Sequence, residues 1–394
     1  MAAEAKASTS PLSAQRSLGE VLRTVFAPVG QLFLFIVGSA GALSLFVVVL
    51  SLLLSSGQPD LLQRALSVLP QAIIDGTVRG FLFATIALGY TMVYGVLEFI
   101  NFAHGEIFMI GGVVGAYIGL FMNNAGLLDG FPPLLFVLIV VLAGMVVSGS
   151  LAVLVERTAY RPLRGAPRLV PLISAIGVSL ILQDLARLFM TNFPPSEPMG
   201  FNARYQTPDY GSVIRLFEMP LGDRMVPVVL SPRDLIFIVV AVLMLIGLNY
   251  LVNATRLGKA IRATAQDMST ASLMGINVNQ VIALTFLIGG ALGGAAGALF
   301  GLRVGAVNPY MGFIPGLKAF TAAVLGGIGN ITGAMVGGIV LGFLEAFVAI
   351  YLSLFTGGAF SGAAYADIAA FSILIFILIF RPEGLLGEAT TQKV

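Results

Sequence analysis

The chain has 394 residues, of which 58% are apolar and only 10% charged, with 21 Lys and Arg against 19 Asp and Glu. Soluble domains carry roughly 25% charged residues, so a mean hydropathy of +0.98 marks a polytopic membrane protein. The net charge of +2 offers no electrostatic footprint for a nucleic-acid partner, the absence of Cys excludes disulfides and thiol chemistry, and a single His excludes a multi-His metal site.

The first 30 residues form a mildly polar cytoplasmic tail with Lys6, Arg16 and Arg23. A first apolar run follows over 32–54, longer than the roughly 7–15 residues of a signal-peptide core. It ends in SLLLSSGQPD without a small-x-small cleavage site, and reads as a retained extra span within 31–56. A crossing helix needs about 20 apolar residues. Further candidates lie at 81–96 (starting earlier, near Leu69), 107–122, 133–154, 169–190, 235–252, 281–300, 320–328, 334–354 and 368–380. The run at 320–328 is too short to cross unaided and reads as a half-helix. The expected fold is all-α with ten transmembrane segments, the main domain covering 57–387.

Lys and Arg in short loops mark the cytoplasmic side. Arg157, Arg161, Arg164 and Arg168 place one loop there, and Arg256, Lys259 and Arg262 place the loop at 253–280 there too. Two spans separate these loops, so parity agrees, and the mixed-charge segment at 191–233 falls outside. Both the start of the chain and the tail at 388–394 fall inside. Ten passes divide into five plus five of opposite orientation, and inverted repeats place a permeation path at their interface. That division rests on span order and charge alone.

The stretch ATRLGKAIRATAQDMSTASLMGIN, residues 254–277, is a polar interval between two spans. It predicts a short helix from Arg262 to Met274, with Gly275 as a left-handed stop. A small-residue helix on the basic side suits docking of a soluble motor subunit, with Arg262, Ala265, Asp267, Ala271 and Gly275 as the candidate contact. An ordinary loop obeying the charge rule would look similar.

The stretch YGVLEFINFAHGEIFMIGG, residues 94–112, sets Glu98, Asn101, His104 and Glu106 among apolar residues. Ionisable groups at membrane depth are costly and face a cavity or a partner. Helical spacing would put Asn101 and His104 at i,i+3. These groups support or line a path beside a broken helix, or belong to a hydrated interfacial turn; a proton relay through His104 is a third reading. Asp184 and Arg187 are i,i+3 on one span and suit a pair. Residues 308–342 are rich in Gly but hold no G-x-x-x-x-G-K-[ST] loop, so no nucleotide site is expected. Lys318 opens the half-helix, either snorkelling outward or facing the path.

GYTMVYGVLEFINFAHGEIFMIGG resembles the signature region of the H-type permease of bacterial branched-chain amino-acid ABC importers. ERTAYRPLRGAPRLVPLISAIGVSLILQD, ATRLGKAIRATAQDMSTASLMGIN and NPYMGFIPGLKAFTAAVLGGIGNITGAMVGG are similar to that family's next three blocks, in order, over about 69–387. Ribose-type permeases share the pattern more faintly. The resemblance implies a multi-pass inner-membrane permease that does no covalent chemistry and holds no cofactor. It implies a related second permease, two cytoplasmic ATPase subunits that bind ATP and Mg, an external substrate-binding protein and a lipid surround. The coupling segment maps onto 262–277 and the NFAHGE stretch onto 101–106. Urea or short amides are the alternative cargo; a proton-coupled transporter or passive channel would need no ATPase.

Overall fold

The computed structural model describes residues 18–54, 60–97, 99–167, 169–193, 202–221 and 224–387. The expected N-terminal tail is therefore described only from Leu18, and Glu98, Arg168 and the tail at 388–394 lie outside the described residues. The helices run α1 Leu18–Leu54, α2 Leu61–Leu97, α3 His104–Asn124, α4 Pro133–Val155, α5 Leu169–Asn192, α6 Pro232–Ala254, α7 Arg256–Gln266, α8 Met268–Leu273, α9 Val278–Val304, α10 Phe313–Gly326, α11 Ile331–Phe355 and α12 Gly362–Phe380. Among the described residues, nine helices are long and apolar enough to cross a membrane. At 1.5 Å per residue α10 spans only about 21 Å, short of the roughly 30 Å hydrocarbon core. Every span expected from the sequence is present, including the half-helix.

The external segment adds something the all-α expectation lacked. Strands β2 (Ile214–Leu221) and β3 (Arg224–Leu230) form an antiparallel hairpin, and two-residue strands β1 (Ala203–Arg204) and β4 (Ala306–Val307) pair with each other. The hairpin rests on the start of α2, where the Ser67 hydroxyl reaches the Pro220 carbonyl and the Gln71 side chain accepts from the Val229 amide at 2.9 Å. The β1–β4 pair gives an independent check on topology. It ties the chain after α5 to the end of α9, which parity had put on the same side. At the other side, the Leu385 and Leu386 amides donate to the Leu325 and Gly326 carbonyls.

The core is built on α2, α9 and α11, with α1 and α12 at the edge. Lipid is as apolar as Leu, so helix association relies on close packing of small residues. At the α2–α11 crossing, Gly338 and Gly342 lie against the backbone of Ala84 and Gly80. At the α4–α9 crossing, Gly144 and Gly294 abut each other's carbonyls. The two crossings make one sheetless layer through the centre.

Helix α3 does not begin at a membrane surface. His104, its first residue, sits beside Gly293, which is near the middle of α9. The α2–α3 connection therefore re-enters the bundle. Gly312, which caps α10, meets Gly105 of α3. A methyl at Gly105 would stand 2.6 Å from the Gly312 carbonyl oxygen, and one at Gly312 would strike the Gly105 carbonyl. The N-termini of α3 and α10 thus converge at mid-depth, backbone against backbone.

Candidate functional site

The convergence of α3 and α10 builds a buried polar centre. Asn101 is not on a helix with His104, as the i,i+3 spacing suggested; it lies in the connection, and its carbonyl accepts from the His104 amide at 3.1 Å. Its side-chain oxygen accepts a 2.7 Å bond from the Tyr160 hydroxyl. The His104 ring is enclosed by Gly89 and Gly293 and stands edge-on to Tyr90, with centroids 4.7 Å apart. Glu106, in the first turn of α3, is fully buried. Its Oε1 accepts from Gln183 Nε2 at 2.7 Å and Ser179 Oγ at 3.2 Å, while Oε2 points toward Gly312. Asn101 Nδ2, His104 Nε2 and Glu106 Oε2 have no protein partner. A carboxylate in the first turn of one helix and against the first residue of another is favoured by both positive helix ends.

Beside this centre, α5 and α10 leave a cleft of about 680 Å³ lined by Phe102, Ile176, Ser179, Leu180, Gln183, Tyr310, Phe313, Ile314 and Leu317. Sequence reasoning missed Ser179 and Gln183. Their signal was present: a polar side chain on an apolar span, one turn apart.

Lys318 neither snorkels nor stands alone. It is buried, with Nζ 3.1 Å from Glu345 Oε2 on α11 and 2.6 Å from Asp367 Oδ1 on α12. Glu345 Oε1 is held by Arg79 of α2 at 2.8 Å. Four helices meet in two cations and two anions. Asp184 and Arg187 pair as expected, at 3.0 Å.

The segment expected at the cytoplasmic side is two helices rather than the one expected over 262–274. Asp267 divides them. Its extended backbone ends α7, and its side chain caps α8 by accepting from the Ser269 amide at 2.8 Å and from the Thr270 hydroxyl. The Thr270 hydroxyl, then the Ser269 and Thr270 amides, hold this carboxyl below the usual carboxylate range. Gly275 takes the predicted left-handed turn, with φ +82°. Arg262 is exposed, yet its guanidinium reaches back to the Val252 carbonyl. Ala265 is half-buried and Ala271 is buried, so the small residues face the protein. Leu273 and Met274, 86% and 79% exposed, stand on the outside instead.

A chain of polar contacts runs from this segment to the buried centre. Asn277 caps α9, and Asn279 in its first turn accepts from Arg164 at 2.7 Å. Arg164 and Arg161 both clasp Glu156, which is fully buried. Burial pulls the Arg164 guanidinium below its ordinary range, and the Glu156 carboxylate opposes that. Glu156 opens a π-helical turn, Glu156–Tyr160, that carries Tyr160 onto Asn101. π-turns inside helices occur often at functional sites. A space of about 330 Å³ bounded by Tyr160, Arg164, Thr264, Ala265 and Asp267 separates the segment from the connection above it.

Comparison with known proteins agrees with the geometry. The family described as branched-chain amino acid transport system / permease component matches residues 72–380, so α1 precedes the matched region. The high-affinity branched-chain amino acid transport system permease protein BraD of Pseudomonas aeruginosa is 42% identical over 324 residues, 82% of this chain and 97% of the relative. LivH of Escherichia coli, with the same description, is 40% identical over 327 residues, again 82% and 97%. A protein of Methanocaldococcus jannaschii described as a probable LivH permease is 28% identical over 320 residues, 80% of this chain and 92% of the relative. No solved structure matches the chain significantly. With nine helices among the described residues long and apolar enough to cross a membrane, a buried polar centre and a family match over most of its length, this chain belongs to the permease components of branched-chain amino acid transport systems.

Proposed function

We propose that this chain is the membrane subunit of an ATP-driven importer that brings branched-chain amino acids into the cytoplasm. It works with a related second permease, two cytoplasmic ATPase subunits that bind ATP and Mg, and an external substrate-binding protein. The observation that supports this reading is the link from the cytoplasmic segment to the buried centre: hydrogen bonds join Asn279 to Arg164 to Glu156, the π-turn Glu156–Tyr160 carries on to Tyr160, and Tyr160 bonds Asn101. Such a link serves a machine driven from the cytoplasm and is superfluous in a passive channel.

Leu273 and Met274 form the apolar knob that an ATPase groove covers, and Asp267 fixes the helix presenting it. Closure of the ATPases presses this segment toward Tyr160, and Tyr160 shifts the connection that starts α3. The cycle then alternates two states biased by nucleotide. Converging half-helix ends at mid-depth favour the five-plus-five inverted repeat, since each half contributes one. Asn101–Gly105 and Asn308–Gly312 share the N-x-x-x-G spacing at those two ends. Outside, the hairpin exposes Leu216, Phe217 and Met225, an apolar face for the binding protein. His104 packs as a support for the α2–α9 contact rather than as a relay.

The test is reconstitution of the five-subunit importer in proteoliposomes. Leucine, isoleucine and valine should enter only with ATP and binding protein, and urea should not compete. Replacing Leu273 and Met274 with Ser should abolish uptake at normal expression. Uptake without ATPase subunits would overturn the reading in favour of a channel or a proton-coupled carrier.

A further inference from the structure

The cleft between α5 and α10 has walls of Ile176, Leu180, Phe313 and Ile314 and a polar floor of Ser179 and Gln183. Its volume of about 680 Å³ lies in the roughly 300–1,000 Å³ range of ligand pockets. Ser179 spends its one donor on Glu106 and Gln183 one of its two, so the hydroxyl and amide oxygens remain as acceptors. Glu106 stands behind them, fully buried, with one oxygen unpartnered and aimed at the N-terminus of α10. No Lys or Arg lines the cleft. The Glu106 carboxyl thus sits beside two positive helix ends, behind polar side chains at the cleft wall. A zwitterion has an ammonium pole for those acceptors and a carboxylate pole for the start of α10, whose Phe313 and Ile314 line the cleft.

The open side of the cleft is apolar, formed by the exposed side chains of Ile176, Leu180, Phe313 and Ile314. Ile176, Leu180, Gln183 and Arg187 fall on one stripe of α5 at helical spacing. Arg187 and its partner Asp184 are 41% and 63% exposed, and charges so placed on a span face water or another protein.

We infer that this cleft is a resting site for the transported amino acid, with the ammonium group on the Ser179 and Gln183 oxygens, in front of Glu106, and the branched side chain against Ile176, Leu180 and Ile314. The inference rests on the importer reading and adds where selectivity for an apolar α-amino acid resides within the membrane. The binding protein then selects first and the cleft selects again.

The chain has no Cys, so a single introduced thiol reports on one place. Leu180→Cys, with Ile176→Cys as a second reporter and Leu169→Cys outside the cleft as control, is made in the assembled importer in nanodiscs. Modification of this chain by a small maleimide is followed by mass spectrometry. Leucine should slow labelling of the cleft thiols and leave the control unchanged. Leucinamide and 4-methylpentanoate, each lacking one pole, should protect poorly. Adding Gln183→Met should weaken protection by about tenfold, the effect of one lost hydrogen bond to a charged group. Equal labelling with and without leucine, in a preparation that imports leucine, overturns the site and leaves the importer reading intact. Protection by leucine in a preparation that imports only another solute would support the site and overturn that reading.

Discussion

Two polar groups lie inside this bundle, and they are built on opposite terms. Around Lys318 each ionic group has a counter-charge: Arg79, Glu345, Lys318 and Asp367 tie α2, α10, α11 and α12 together. Around Glu106 the carboxyl has no counter-ion among the described residues, and three side chains keep an atom without a partner. Burying a charge is tolerable when it is paired and costly when it is not. The first group is therefore a fastening. The second keeps binding capacity in reserve, as the proposed transport site requires.

Removing one member of each group separates the two roles. The largest effect is expected at Lys318→Met. It leaves Glu345 to Arg79 alone and removes the partner of half-exposed Asp367, so the cost falls at the low end of the about 3–5 kcal/mol for loss of one partner of a buried pair. Assembled protein should fall sharply, read by detergent-resistant melting; the double variant with Glu345→Met should recover part of the loss. Full stability of Lys318→Met would show that the fastening is not one.

Glu106→Gln should do the reverse. The amide oxygen still accepts from Gln183 and Ser179, so yield and Tm should hold. Uptake should drop by about tenfold or more, as expected for an interaction with a charged group. A variant that melts early and transports normally when folded would make Glu106 another structural residue. His104→Gln is the mildest. It loosens the packing between Gly89 and Gly293, so uptake should survive in part and keep its pH profile. Loss of uptake restored by an external proton gradient would reinstate the relay.

The spans were legible because 20-residue apolar runs have few other uses. Charge asymmetry gave their orientation, and the β1–β4 pair agrees with it. The polar centre was legible as a set of residues but not as a shape. Helical periodicity cannot reveal a connection that turns back into the bundle, and Asn101 was therefore set on the wrong kind of backbone. Asp267 before Met268, Ser269 and Thr270 carried the helix-start signal that splits the cytoplasmic segment, hidden by the basic run around it. The hairpin was announced by Gly222–Asp223 between two alternating runs. The partners of Lys318 had no local signal, since they arrive from two other helices.

The contact of Gly105 with Gly312 also bears on how this sequence can change over time. Where side chain packs on side chain in the bundle, a larger residue in one helix can be matched by a smaller one opposite. Here the neighbours are carbonyl groups, which no substitution can trim. Alanine at either position must push apart the two half-helices themselves. The centre of the molecule is thus closed to compensated replacement, and sequence drift is confined to the layers around it.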